Sequence, residues 1–181
     1  MKEAMAAVRG HLFKLKCRLA KKKVSIGTGL RIFCKLEIEG QGAVSIGNNC
    51  TIARINGDDR HYVTIYTHDP AAVISIGDDA MLFAARISSR FEIKIGNQFL
   101  IEEAGIMDTD FHTLTPDRAQ PAETKEKCAI AIGDRVAIGA RSVICKGVSL
   151  GDDVLVWPGS IIKKTIPSGV AVCGNPARAI K

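Results

Sequence analysis

Among the four histidines of this chain, His112 is set apart by its company, because it closes the phrase Met107-Asp108-Thr109-Asp110-Phe111-His112. An imidazole with an ordinary pKa near ~6.5 can accept a proton at neutral pH and give it back. By residue type alone, the same histidine would equally serve as a surface group hydrogen-bonded to its acidic neighbours. The other histidines, His11, His61 and His68, are scattered and make no metal-binding set with it. Cysteines at 17, 34, 50, 128, 145 and 173 form no CxxC pair and no Cys/His cluster with zinc spacing. They read as reduced, small apolar residues, which points to a cytoplasmic protein, and no metal is expected.

What must position His112 is a repeat. A short phrase ending in aliphatic-Gly recurs at Ser25-Ile26-Gly27, Ser45-Ile46-Gly47, Ser75-Ile76-Gly77, Lys94-Ile95-Gly96, Ala131-Ile132-Gly133 and Ser149-Leu150-Gly151, and most copies continue with Asn or Asp. The aliphatic members are separated by 20, 30, 19, 37 and 18 residues, one period near 18 with two intervals lengthened near 56–72 and 113–128. Inside a period, Ile132, Ile138, Ile144, Leu150, Val156 and Ile162 follow one another every six residues. Neither a helical stripe nor a free-standing alternation keeps that rhythm. Three flat faces per coil, turned by small residues, predict an all-β triangular prism with inward aliphatic side chains stacked coil upon coil. A β-sandwich gives no reason for an 18-residue phrase. His112 stands where the second long interval opens, the place where a rigid solenoid projects loops and builds sites.

Composition agrees with a soluble, single-domain chain: 46% hydrophobic, 24% charged and only 5% aromatic. The prism is expected over 24–181, preceded by a basic segment over 1–23. There Val8, Leu12, Leu15 and Leu19 fall at helical spacing among lysines and arginines. That helix either caps the open end of the prism, packs on a neighbouring subunit, or makes a peripheral contact with anionic lipid. No run is long enough to span a membrane and no signal peptide is expected. The net charge of +6 would suit nucleic acid, but no nucleic-acid-binding motif accompanies it, and much of it sits in the first 23 residues.

From about Ser75 to Lys181 the sequence resembles the hexapeptide-repeat acetyltransferases that acetylate sugars. These include the maltose and galactoside acetyltransferases and, more closely, the O-acetyltransferases of capsule and lipopolysaccharide synthesis. The resemblance is carried by Asp108-Thr109-Asp110-Phe111-His112, Ile132-Gly133-Asp134-Arg135-Val136-Ala137-Ile138-Gly139, Lys146-Gly147-Val148-Ser149-Leu150-Gly151 and Gly174-Asn175-Pro176-Ala177-Arg178, in that order. It implies a left-handed parallel β-helix and direct acetyl transfer from acetyl-CoA to a saccharide, with His112 as general base. Asp108 or Asp110 would orient the imidazole, bind the sugar, or merely shape a turn. Acetyl-CoA would run beside Ala140 and Pro158, with Lys163, Lys164, Arg178 and Lys181 near its phosphates. The family's cleft between prisms implies a homotrimer.

Two positions depart from the family pattern. Ala137 stands where many relatives have Trp, and Pro158, after Trp157, stands where Ala is usual; proline offers no N–H to the pantetheine arm. The rival functions are N-acetylation of a nucleotide-linked amino sugar and a non-catalytic scaffold. A carbonic anhydrase of the same fold would need three metal-binding histidines. The acceptor pocket is expected from the loops at 54–72 and 113–127.

Overall fold

The computed structural model describes residues 1–55, 62–110, 116 and 123–180. His112, Lys181, His61 and most of the second insertion therefore lie outside the described residues. The chain winds three parallel sheets around one core. The first face stacks Val24–Ile26, Ala43–Ile46, Val73–Ile76, Glu92–Ile95, Ile130–Ile132 and Ser149–Leu150 in sequence order. The second runs from Arg31–Ile32 through Met81–Phe83 and Ala137–Ile138 to Leu155–Val156, then Ala171–Gly174 and an antiparallel last strand, Ala177–Ala179. The third runs from Leu36–Gly40 through Val63–Thr67, Arg86–Ser89, Gly105–Met107 and Val143–Ile144 to Ile161–Ile162. Within the lengthened interval expected near 56–72, Val63–Thr67 is thus a strand of the prism rather than loop, in register with Leu36–Gly40.

The repeat is explained by what each residue meets one coil away. Ile26, Ile46, Ile76, Ile95, Ile132 and Leu150 form one buried column, and Ile38, Ile65, Ile87, Ile106, Ile144 and Ile162 another. Each such side chain contributes roughly 1.5–3 kcal/mol on leaving water. The glycine after the first column is required by close approach: a Cβ on Gly77 would lie 2.6 Å from both the Gly96 carbonyl and Asn97 Oδ1. The Asn or Asp that follows accepts a hydrogen bond from the coil before it. Asp78 Oδ1 takes the Asn48 N–H (2.7 Å), Asn97 Oδ1 that of Asp78 (2.9 Å), Asp134 Oδ1 that of Asn97 (2.7 Å) and Asp152 Oδ1 that of Asp134 (2.8 Å). The Asn48 N–H, with the Asn48 side-chain amide, holds the Asp78 carboxyl below its usual range. The next residue turns the corner in the left-handed region, where Asn49, Asp79, Arg135 and Asp153 have φ of 56–58°.

The N-terminal helix, Lys2–Leu19, covers the open end of the first coil. Its buried residues are the small ones, Ala6, Gly10 and Cys17; a Cβ on Gly10 would collide with the Leu30 carbonyl. Lys14 Nζ donates to the Gly27 carbonyl (2.9 Å) and Lys22 Nζ to that of Ile38 (2.7 Å). These carbonyls belong to the terminal coil, so the lysines satisfy acceptors at the end of the solenoid.

Candidate active site

The phrase that leads to His112 leaves the third face at Met107. Asp108 follows and turns inward, with 0% of its surface exposed. Its Oδ2 accepts from Ser89 Oγ (2.6 Å) and the Phe91 N–H (2.9 Å), and its Oδ1 accepts from the Arg90 N–H (2.6 Å). Those donors form the corner of the preceding coil, so Asp108 braces one coil against the next. A buried carboxylate with three donors is satisfied and geometrically fixed.

Asp110 is exposed and belongs to a different cluster. Its side chain pairs with Lys146 Nζ, and its N–H donates to Glu123 Oε1 (3.0 Å). Glu123 lies within the second insertion, near its far end, its side chain only 3% exposed. Its other oxygen, Oε2, accepts from Thr109 Oγ1 (2.6 Å), while Lys146 Nζ donates to Oε1 (2.7 Å). Burial alone would raise the Glu123 carboxyl, but Lys146, Thr109 and the Asp110 N–H outweigh it and hold it below the usual carboxylate range. Burial likewise opposes charge on Lys146, yet Asp110 and Glu123 together raise its ammonium above the ordinary lysine range. One carboxylate thus joins the chain entering the insertion to the chain leaving it, and Lys146, from a later coil, holds both. Two residues beyond Asp110 stands His112.

A second histidine borders this region. His68 Nε2 lies 2.7 Å from Ser88 Oγ, and its ring packs on Tyr66 with centroids 4.3 Å apart. Burial lowers its pKa, opposed by the Asp108 carboxylate and reinforced by Arg90. The imidazole is held toward its neutral form.

Ala140 and Pro158, which the family resemblance assigns to acetyl-CoA, occupy equivalent corners of successive coils, where the Gly159 N–H donates to the Ala140 carbonyl (2.8 Å). The Pro158 ring lies against Gly139, whose added Cβ would stand 2.8 Å from Cδ. Although proline removes a donor, the coil keeps its register: the Trp157 N–H still reaches the Val172 carbonyl (2.9 Å). Buried Ser142 and Ser160 both donate to the Trp157 carbonyl, at 3.1 and 2.5 Å. Trp157 itself is 50% exposed. Lys163 and Lys164 follow the last strand of the third face and are exposed. Arg178 is exposed on the terminal strand, its Nη1 bonded to the Ala177 carbonyl (3.0 Å). No bond joins Arg178 to the two lysines among the described residues.

Glu123, Thr109, Ser89, Ser142 and Ser160 were not singled out by sequence pattern. Lys146 was visible only at the head of Lys146-Gly147-Val148-Ser149-Leu150-Gly151, one of the phrases that carry the family resemblance. Serine at a position where the repeat allows small residues could have signalled the buried bonds of Ser142 and Ser160. Glu123, inside an insertion without period, offered no signal.

Comparison with known proteins agrees with the repeat. Residues 130–164 match the family model described as bacterial transferase hexapeptide, six repeats. The chain is 31% identical over 99 residues to galactoside O-acetyltransferase of Escherichia coli strain K12, covering 55% of this chain and 48% of that enzyme. It is 42% identical over 59 residues to 2,3,4,5-tetrahydropyridine-2,6-dicarboxylate N-acetyltransferase of Clostridium perfringens strain 13, covering 33% and 25%. The chain thus spans less than half the length of either relative. Among solved structures, AntD, an N-acyltransferase from Bacillus cereus in complex with dTDP and 3-hydroxybutyryl-CoA, superposes with a TM-score of 0.71 at 20% identity, over 93% of this chain and 87% of that one. That likeness is one of fold. By its sheets and its repeat, the chain folds as a hexapeptide-repeat, left-handed parallel β-helix.

Proposed function

We propose that the chain is an acetyl-CoA-dependent O-acetyltransferase acting on a saccharide or glycan precursor, by direct transfer with His112 as general base. The observation that carries this reading is the clamp of Thr109, Asp110, Glu123 and Lys146. It spends a nearly buried carboxylate and a lysine on fixing the two ends of the one segment that contains His112. Such a brace keeps the ends of an inserted segment at a fixed place on the prism, as a site carried on that segment requires. The similarity to galactoside O-acetyltransferase supports the substrate class.

In this mechanism the acceptor hydroxyl attacks the thioester carbonyl while His112 takes its proton. The tetrahedral adduct collapses to the acetyl ester, and the imidazolium returns the proton to the departing thiolate of CoA. Asp108 acts as a positioning residue by holding the start of the His112 phrase against Ser89, Arg90 and Phe91. Asp110, paired with Lys146, holds the next step of the chain. Acetyl-CoA lies along the corner of Ala140 and Pro158, its phosphates met by Lys163, Lys164, Arg178 and Lys181 through charge-assisted contacts. The working assembly is a homotrimer with the site between prisms.

A second reading, N-acylation of a nucleotide-linked amino sugar, is favoured by the likeness to AntD, solved with dTDP and an acyl-CoA. The experiment that separates these readings is calorimetric titration with acetyl-CoA, followed by thiol release across a panel of sugars and nucleotide-linked amino sugars. Release with a hydroxyl acceptor supports the first and release with an amine the second. Failure to bind acetyl-CoA would leave a scaffold.

A further inference from the structure

The helix that caps the prism has two faces, and only one touches the prism. At about 100° per residue, buried Ala6, Gly10 and Cys17 fall on one side, and Met5, Val8, Leu12, Leu15 and Leu19 fall almost opposite. The latter are 51%, 57%, 57%, 45% and 73% exposed. The apolar stripe visible in the sequence is therefore not the capping face; it points away from the body of the molecule. Along one border of the stripe the same geometry places exposed Lys2, Arg9 and Lys16, and along the other His11 and Arg18.

The charge of the whole chain is concentrated here. Residues 1–23 contain eight Lys or Arg and one Glu, whereas residues 24–181 contain 17 Lys or Arg and 18 Asp or Glu. Beside the stripe, Lys2, Met5 and Arg9 open into a cleft of about 460 Å³ lined also by Arg54, Phe33 and Phe83, and no carboxylate lines it among the described residues.

We propose that this face docks on an anionic phospholipid bilayer, with the helix lying in the plane of the interface. Apolar side chains flanked on both borders by cations suit that surface: the stripe enters the acyl boundary while lysine and arginine reach outward to the phosphates. The helix is not long and apolar enough to cross a membrane. A second copy presenting the same stripe would set like charges against each other, which disfavours that occupant. The proposal stands independently of the chemistry assigned above.

Co-sedimentation of the full chain with vesicles tests it. Binding is expected to vesicles of phosphatidylglycerol mixed equally with phosphatidylcholine, to fall in high salt, and to be absent with phosphatidylcholine alone. Leu12→Glu/Leu15→Glu should abolish it, and Lys2→Glu/Arg9→Glu/Lys16→Glu should weaken it roughly tenfold or more. Since these side chains are exposed, the melting temperature should not change. The proposal is overturned if the wild type stays in solution with anionic vesicles at low salt, or if the Leu12→Glu/Leu15→Glu variant binds as well as the wild type. Equal binding to neutral vesicles would also overturn it. So would dissociation of a soluble oligomer by that variant without lipid binding by the wild type, which would assign the stripe to a second copy.

Discussion

Two places where the prism turns use side-chain acceptors in opposite ways. After the first face, Asn48, Asp78, Asn97, Asp134 and Asp152 repeat one bond in coil after coil, each taking a backbone N–H from its predecessor. After the third face, Asp108 and Glu123 bond to Ser89 and the corner behind it and to Thr109, Asp110 and Lys146; among the described residues only the Asp108 bond to the Phe91 N–H has a counterpart in an earlier coil, where Thr67 Oγ1 accepts the Gly42 N–H. The first corner is architecture, built by stacking the same solution. The second is a singular arrangement around an inserted segment, and it is where a solenoid departs from its own rule that chemistry becomes affordable.

The comparison can be broken at either corner. The largest effect on stability is expected from Gly77→Val, which drives a side chain into the backbone at Gly96 and costs about 3 kcal/mol, measured by thermal or denaturant unfolding. A loss too small to measure would mean that the coils do not stack as tightly as described. Next comes Glu123→Gln, which strips the charge from a buried acceptor facing Lys146 and should cost about 1–3 kcal/mol. Because the folded Glu123 carboxyl titrates below its unfolded value, its contribution is present above the unfolded pKa and is lost as pH falls through the folded one. The wild type should therefore lose stability below about pH 4 more steeply than the glutamine variant. Parallel acid curves would remove the clamp from the account. Thiol-release rates should fall in this variant while acetyl-CoA affinity holds.

Asp134→Ala removes one rung of the ladder, the acceptor for the Asn97 N–H, and should cost about 1 kcal/mol with no change in turnover. Smallest of all is Arg135→Ala, since the bidentate pair with Asp153 is open to water; a shift of about 1 °C or less in melting temperature is expected.

The same contrast explains what was legible in the sequence. The aliphatic-Gly phrase could be read because its six copies obey the same steric demand, and five of them continue with the Asn or Asp that makes the same hydrogen bond. The capping helix was half legible. Its spacing of Val8, Leu12, Leu15 and Leu19 was visible, but the face that caps is the one with Ala6, Gly10 and Cys17, where small size rather than hydrophobicity lets the helix approach Leu30. In the candidate site, Asp108 and Asp110 could be named but not told apart. One is a buried brace and the other an exposed partner of Lys146; both stand beyond the strand that ends at Met107, where no alternation of faces tells them apart. Glu123 could not be found at all, since a bond made once leaves no period.

The most direct test of the central claim is the steady-state thiol-release rate of His112→Ala with acetyl-CoA and the acceptor identified from the panel, alongside its acetyl-CoA affinity. A general base predicts turnover lower by about 10² to 10⁴ with affinity little changed. Turnover equal to wild type would contradict the mechanism and return the clamp to a purely structural role.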